Sequence, residues 1–386
     1  MNKEQNKDYI VTARKWRPMR FEEVVGQEHI TRTLMNAIKA GRVHHSYLFS
    51  GPRGVGKTTT ARILARALNC TSPVNYEPCN NCESCLSVID GRSLDIIEID
   101  GASNNSVDDI RKLRENAKYP PTSGKYKMYI IDEVHMLSTS AFNALLKTLE
   151  EPPPHLLFVF ATTEIHKVPA TILSRCQRFE FRRMEIDTTV RQLRYIAQNE
   201  SITLDEDSYL SIAKKADGSM RDAQSIFDQV VAFCGTSITY SEMANALHLV
   251  DQEFFFRITK AIKEHNFSEM FAIAKDVLTK GYDFHQTLTG LLEHLRNILT
   301  IRVTGKTELL EGFSTYSRQY LEDANDFDTP DLIRYMTLIA GSEQPMKSSP
   351  QPRVRFELIL SQLAGMGKTN ELTGLVDELR ELKKKL

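Results

Sequence analysis

Gly51-Pro52-Arg53-Gly54-Val55-Gly56-Lys57-Thr58 follows directly on the apolar run Tyr47-Leu48-Phe49. These residue types match what a bound nucleoside triphosphate requires. The glycines let the backbone turn so that successive N–H groups face phosphate oxygens, Lys57 reaches the β- and γ-phosphates, and the Thr58 hydroxyl is a ligand for Mg²⁺. From Thr59 to Leu68, Ala61, Ile63, Leu64, Ala65, Ala67 and Leu68 recur as in a helix, whose positive N-terminus adds to the anion site.

A second motif complements the first. Met128-Tyr129-Ile130-Ile131-Asp132-Glu133 ends an apolar run on two carboxylates, where the second nucleotide motif of a phosphate-loop protein belongs. Asp132 is expected in the Mg²⁺ shell with Thr58, and Glu133 is expected to polarise the attacking water; such catalysis is positioning and charge stabilisation. Taken alone, the pair equally fits a strand end with solvated acids. Thr162-Thr163 closes the next apolar run, offering a hydroxyl to water or γ-phosphate, or only a local backbone hydrogen bond. Arg175, within Leu173-Ser174-Arg175-Cys176, and Arg221, within Met220-Arg221-Asp222-Ala223, carry guanidinium forks that suit phosphate oxygens and equally suit solvated surface.

Cys70, Cys79, Cys82 and Cys85 put four thiols in one short segment. Thiolates so spaced close a tetrahedral Zn²⁺ site, structural rather than catalytic because no coordination position stays open. An iron–sulfur cluster stays open as an alternative, since Cys79, Cys82 and Cys85 partly match ferredoxin spacing, and a disulfide is a third. Pro73, Pro78 and Asn80-Asn81 predict loop between the thiols. Cys176 and Cys234 have no partner nearby in sequence and are expected to be buried or inert.

These groups need a scaffold of alternating elements. Short apolar runs predict strands at Ser46–Ser50, Asp95–Asp100, Lys127–Asp132, Leu156–Thr162 and Phe179–Phe181. Helical spacing between them predicts Glu28–Ala40, Thr58–Leu68, Val107–Ala117 and Ser140–Glu150, and Pro152-Pro153-Pro154 ends the last of these. That alternation is a parallel α/β sheet with right-handed crossovers. Beyond residue 182 the strand signal vanishes. Helices are expected near Thr188–Asn199, Glu206–Ala216 and Met220–Phe233, then, after a gap at Cys234–Ser241, a second helical run over 242–366. A loop from Gly341 to Pro352, with Pro345 and Pro350, is expected to interrupt that run. From Glu371, Leu372, Val376, Leu379, Leu382 and Leu386 form an apolar stripe on a helix that packs on its own domain, binds a partner or marks a truncation.

Composition excludes some classes. With 49 basic and 50 acidic residues, overall charge gives no argument for nucleic acid. The N-terminal residues are polar and unlike a signal peptide, and no apolar run is long enough to span a bilayer, so a soluble, cytoplasmic protein without membrane partners is expected.

Arg14-Lys15-Trp16-Arg17-Pro18, Phe21, Val24-Val25-Gly26-Gln27, His45-Ser46-Tyr47-Leu48-Phe49, the phosphate loop, the four-cysteine insertion, Asp132-Glu133-Val134-His135, Ala161-Thr162-Thr163, Ser174-Arg175-Cys176 and Gly218-Ser219-Met220-Arg221-Asp222-Ala223 together carry a family resemblance. The chain resembles the γ/τ subunits of bacterial DNA polymerase III clamp loaders, a family of AAA+ ATPases. The resemblance is dense from residue 10 to about 235 and rests on helical pattern beyond. It implies an α/β phosphate-loop (AAA+) domain with a parallel sheet at 1–182, holding a zinc insertion at 70–85. A small helical lid at 183–243, an all-helical collar at 244–366 and a tail at 367–386 would follow.

The resemblance also assigns roles. Arg17, Pro18, Val25 and Gly26 would form the adenine pocket. Thr59 would continue the ATP site, Thr163 would be the first sensor of the γ-phosphate, and Arg221 the second. Arg175 would act in trans on ATP held by a neighbouring subunit, a device worth about 10³- to 10⁵-fold in rate. ATP, Mg²⁺ and Zn²⁺ are the implied cofactors. Implied partners are δ, δ′ and further γ/τ copies in a pentamer, the β sliding clamp and primed DNA, with Ala102-Ser103-Asn104-Asn105-Ser106 a candidate phosphate contact or a plain capped helix start. The family's longer form continues into helicase- and polymerase-binding domains; the chain ends soon after the collar, so a short form or truncation without those functions is expected, and a polymerase label describes the complex. A small-molecule phosphotransferase, a non-hydrolysing subunit of the same assembly and another AAA+ DNA remodeller are the rival readings.

Overall fold

The computed structural model describes residues 11–247, 250, 252–306 and 316–367. The apolar stripe from Glu371 lies outside the described residues. The chain divides into two units, Met1–Ser237 and Ile238–Leu386.

Five parallel strands, β1 (Ser46–Ser50), β2 (Ile96–Asp100), β3 (Lys127–Asp132), β4 (Leu156–Thr162) and β5 (Gln177–Glu180), build the first unit's sheet in the order β2-β3-β4-β1-β5. Side chains alternate between two cores. Tyr47 and Phe49, Met128 and Ile130, and Leu157 and Val159 pack on one face with Ile30, Leu34, Ala61 and Leu64. Leu48, Tyr129, Ile131, Phe158 and Phe160 pack on the other with Ile110, Leu113, Phe142 and Leu145. Burial on both faces explains why these strands read as continuous apolar runs. On the first face lie α2 (Glu28–Lys39) and α3 (Lys57–Asn69), on the second α5 (Val107–Ala117) and α6 (Thr139–Glu150). A short α1 (Thr12–Lys15) precedes them, and α7 (Ala170–Leu173) leads into β5. The strand β4 separates β1 from β3, so Thr162, Ser50 and Asp132 end side by side at one sheet edge.

Three helices complete this unit: α8 (Ile186–Asn199), α9 (Glu206–Lys215) and α10 (Met220–Cys234). The Asp205 carboxylate caps α9 by accepting the Ser208 N–H, and the Ser219 hydroxyl caps α10 by accepting that of Asp222.

The second unit is helical, with α11 (Tyr240–Ala246), α12 (Gln252–Lys263), α13 (Phe267–Thr279), α14 (Phe284–Thr304), α15 (Ser317–Asp326), α16 (Thr329–Lys347) and α17 (Pro352–Gly365). Leu288, Leu291, Leu295 and Ile298 of α14 form its spine with Leu332 and Ile339 of α16 and Phe356, Leu360 and Leu363 of α17. No described helix is long and apolar enough to cross a membrane.

Four expectations need correction. Strands do not end at residue 182: Thr203–Leu204 is a two-residue strand whose Thr203 N–H donates to the Thr236 carbonyl at 2.9 Å, too short to leave an apolar run. The segment 341–352 is mostly helix: α16 runs through Pro345 to Lys347 before α17 starts on Pro352. Pro345 lies in the last turn, where it frees one carbonyl, that of exposed Gly341, while buried Met346 holds the turn in the core. The edge strand β5 covers Gln177–Glu180 rather than Phe179–Phe181, because only Phe179 of its residues is buried and the apolar signal is thin. The cysteine segment is not all loop, since α4 (Glu83–Ile89) carries Cys85.

Candidate functional site

The phosphate loop leaves β1 at Ser50 and enters α3 at Lys57, with Gly51, Gly54 and Gly56 all at positive φ. A Cβ on Gly51 would collide with the carbonyl of Phe181, and one on Gly54, at φ +77, would land on the Ser219 hydroxyl. At Gly51 backbone approaches backbone, and at Gly54 the α10 side chains close in, so only glycine fits at either point. The Lys57 side chain is buried and its Nζ donates to the carbonyls of Gly51 at 2.8 Å and Pro52 at 2.6 Å. Burial lowers its pKa, while the charges of Glu133 and Asp132 oppose the shift. Thr58 Oγ1 donates to Asp132 Oδ2 at 2.6 Å, and Asp132 Oδ1 accepts the Glu133 N–H at 2.9 Å. Loop and acidic motif therefore meet across β4, a hydroxyl and a carboxylate converging as a hard divalent ion requires.

Glu133 sits in the left-handed region at φ 45, an uncommon conformation for a residue with a Cβ. Its Oε2 accepts the Thr163 hydroxyl at 3.2 Å. The same oxygen lies 3.4 Å from Nδ1 of His135, whose Nε2 lies 3.2 Å from Glu164 Oε1. Nδ1 also lies 3.0 Å from the Thr162 hydroxyl, so the ring is set between two carboxylates and a threonine. Thr162 in turn accepts the Glu164 N–H at 3.0 Å. His135, two residues beyond Glu133, is thus a further polar member of the site, without an assigned role from sequence.

A cleft of about 990 Å³, including its open mouth, faces the loop. Its wall comes from Trp16, Arg17, Pro18 and Glu23–Val25, its floor from Arg53–Thr59 with Asp132 and Glu133, and its cover from Gln192, Met220, Arg221 and Gln224. Burial lowers the Arg17 pKa, with nearby Arg62 and Arg221 adding to the effect and Glu98 opposing it; the guanidinium stays charged regardless. The Arg221 N–H donates to the Gly54 carbonyl at 3.3 Å, tying α10 to the loop. Gly26, Gly51, Pro52, Thr163 and Arg175 do not line the cleft. Gly51 and Pro52 meet Lys57 from behind, and Thr163 touches the site through Glu133. Arg175 points elsewhere, pairing with Glu150 at 2.6 Å and donating to the Thr171 carbonyl at 2.7 Å. Sequence reasoning gave no lining role to Trp16, Gln192, Met220 or Gln224. Met220 and Trp16 adjoin residues that were singled out; Gln192 and Gln224 carry no signal.

The Sγ atoms of Cys70, Cys79, Cys82 and Cys85 lie within 4.8 Å of one another. Tetrahedral Zn²⁺ with bonds of about 2.3 Å separates its sulfurs by about 3.8 Å, so the donor set fits with minor contraction. Cys70 Sγ accepts the Cys79 N–H at 3.3 Å, and Cys79 Sγ accepts those of Cys82 at 3.3 Å and Asn81 at 3.5 Å. Such amides favour thiolates. Burial pushes Cys85 upward; at Cys82 it acts the same way but is outweighed by hydrogen bonds from Thr71 and Cys85, which bring this thiol to about 6. Cys176 and Cys234 are half-buried rather than buried.

In the segment Ala102–Ser106, Ser103 donates to Asp100 Oδ2 at 2.7 Å and Ser106 caps α5 through the Asp109 N–H at 3.3 Å. Its hydroxyls thus have local work.

Three family models match consecutive stretches: "DNA polymerase III, delta subunit" over residues 26–185, "DNA polymerase III clamp loader subunit, ATPase lid domain" over 188–236 and "DNA polymerase III subunits gamma and tau domain III" over 238–378. The chain is 41% identical to DNA polymerase III subunit tau of Bacillus subtilis over 362 residues, covering 92% of this chain and 63% of that protein. It is 38% identical to subunit tau of Escherichia coli, covering 91% of this chain and 55% of that one. With DNA polymerase III subunit gamma of Buchnera aphidicola it shares 36% identity over 92% of this chain and 98% of the relative. The chain thus spans somewhat more than half the length of the tau relatives.

Proposed function

Because the chain belongs to the DNA polymerase III gamma/tau subunit family, with its AAA+ fold and lid, we propose that it is an ATPase subunit of the bacterial clamp loader. In this reading it uses ATP binding and hydrolysis to open the β sliding clamp and load it onto primed DNA. It works beside δ, δ′ and further copies of itself in a pentamer, and is not the polymerase catalytic subunit. The observation that carries the proposal is the convergence of Lys57, Thr58, Asp132 and Glu133 under a cover that includes Arg221, within one cleft.

When bound, MgATP supplies the scissile phosphoanhydride and a divalent charge on its phosphate oxygens. The loop amides and Lys57 hold the β- and γ-phosphates, Lys57 exchanging its two loop carbonyls for phosphate oxygens. Thr58 and Asp132 hold Mg²⁺. Glu133, released from Thr163, orients water, and Thr163 and Arg221 respond to the γ-phosphate. Arg17, Pro18, Val25 and the neighbouring Trp16 enclose the base. Arg175 lies outside its own cleft, held by a half-exposed ion pair with Glu150 and local hydrogen bonds to Thr171 and Ser174, as suits a side chain lent to a neighbour's ATP. The four cysteines hold Zn²⁺ structurally. The division into ATPase domain (1–182), lid (183–243) and collar (244–366) belongs to the same reading, as does a cytoplasmic location.

Phosphate release tests this. The chain, reconstituted with partner subunits, should hydrolyse ATP slowly alone and much faster with clamp and primed DNA. Turnover indifferent to both, but stimulated by a small phosphoryl acceptor, would favour a phosphotransferase instead.

A further inference from the structure

Between Cys70 and Cys79 the insertion forms a tight hairpin. The N–H of Val74 donates to the Glu77 carbonyl at 3.1 Å and that of Glu77 to the Val74 carbonyl at 2.9 Å. The two residues at its tip, Asn75 at φ 51 and Tyr76 at φ 67, both occupy the left-handed region. That is the geometry of a type I′ turn, which asparagine tolerates and tyrosine does not favour. The hairpin carries Glu77 inward to 7% exposure, where its carboxylate accepts the backbone N–H groups of Phe21 at 2.9 Å and Glu22 at 3.2 Å. Beside the thiols, Asn80 donates its side-chain amide to the Met19 carbonyl at 3.2 Å. Arg66 of α3, itself buried, donates to the same carbonyl at 3.0 Å.

Residues 19–22 are the link between the two halves of the cleft wall, Trp16–Pro18 and Glu23–Val25. Upstream, the wall segment is tied to the lid, since Trp16 Nε1 donates to Glu200 at 2.8 Å and the Thr12 N–H to Asp228 at 2.8 Å. Downstream it is tied to the cysteine insertion through Phe21 and Glu22 and to α3 through Met19, while the Phe21 and Val24 side chains are buried in the first unit's core. We propose that Glu77 and Asn80 are positioning residues for nucleotide binding: the insertion acts as a strut that sets the base-enclosing wall against the phosphate loop. This rests on the reading of the cleft as a nucleotide site. The strut touches the wall and not the loop, so it governs affinity for the nucleoside part and leaves affinity for the phosphates intact.

The experiment measures equilibrium binding of MgATP and of inorganic tripolyphosphate with Mg²⁺ to the full chain. It compares the wild type with Glu77→Gln and Asn80→Gly. In Glu77→Gln the amide nitrogen faces an N–H it cannot accept; glycine at 80 keeps the positive φ of 59 and removes only the side chain. Losing one charge-assisted hydrogen bond predicts ATP affinity weaker by about tenfold or more, against less than twofold for tripolyphosphate. Saturating ATP should restore turnover, so KM rises and kcat stays. Wild-type ATP affinity in both folded variants overturns the strut, as does equal weakening of ATP and tripolyphosphate. A wild-type chain that binds neither ligand overturns the nucleotide reading itself, and the inference with it.

Discussion

Gly54→Ala should separate lid closure from the phosphate loop. At φ +77 an alanine costs roughly 1–2 kcal/mol in the left-handed region. Its methyl would land on the Ser219 hydroxyl and lie 3.2 Å from the Arg221 Cβ. Ser219 caps α10 through the Asp222 N–H, and displacing such a cap costs about 1 kcal/mol. The clash is released when α10 lifts off the loop, which breaks the Arg221 N–H bond to the Gly54 carbonyl and removes Met220, Arg221 and Gln224 from the cleft. A nucleotide that needs the closed lid bears the clash with the cap, about 1 kcal/mol, or roughly fivefold in affinity, while the φ strain, present with the lid closed or open, lowers stability instead. Titration calorimetry with MgATP reads this directly. Adding Ser219→Ala removes the clashing hydroxyl and should recover part of the loss. Binding by Gly54→Ala within twofold of wild type, or no relief from Ser219→Ala, would refute the reasoning.

Other outcomes follow from the same geometry. Lys57→Ala should abolish ATP binding in the same assay, because the loop carbonyls that Lys57 bridges lose their donor and the phosphates their cation. Arg175→Ala should leave ATP affinity unchanged and remove most DNA-stimulated turnover in the assembled complex; thermal melting should barely move, since its ion pair with Glu150 is half-exposed. Metal analysis should find one ion per chain at Cys70, Cys79, Cys82 and Cys85, and a strong chelator should release it with a drop in melting temperature. His294 of α14, whose Nδ1 lies 2.9 Å from Tyr320 Oη, is held by burial at about 3 against an ordinary 6.5. The fold therefore keeps it neutral: stability is complete above 6.5 and declines by about 1.4 kcal/mol per pH unit below it, until about pH 3. Urea unfolding of the second unit should show that slope, and His294→Gln should flatten it.

How much of this was readable from sequence depends on where each signal resides. β1, β3 and β4 are buried on both faces, so their side chains leave unbroken apolar runs that one strand's residues suffice to reveal. β5 buries only Phe179 and blurred accordingly. Pro345 misled because a proline's cost depends on its place in the helix, and in a last turn it is small. The loop and the acidic motif announce themselves by local spacing, whereas their meeting, Thr58 against Asp132, needs β4 inserted between the two strands. The cleft's cover was the least legible. Gln192 and Gln224 sit on helical faces far along the chain, and an exposed-looking glutamine has no periodicity that marks it as lining a site. Glu77 is hidden for a similar reason: an acidic residue among cysteines reads as loop until Phe21 and Glu22 appear beside it.

The trans action of Arg175 is tested most directly by mixing two inactive chains. Lys57→Ala should lack a nucleotide site but keep the arginine; Arg175→Ala should bind ATP but lend nothing to its neighbour. Assembled together with δ, δ′, clamp and primed DNA, the mixture should regain phosphate release that neither variant shows when assembled alone. A mixture as inactive as its parts, or an Arg175→Ala complex that turns over at the wild-type rate, would contradict the account.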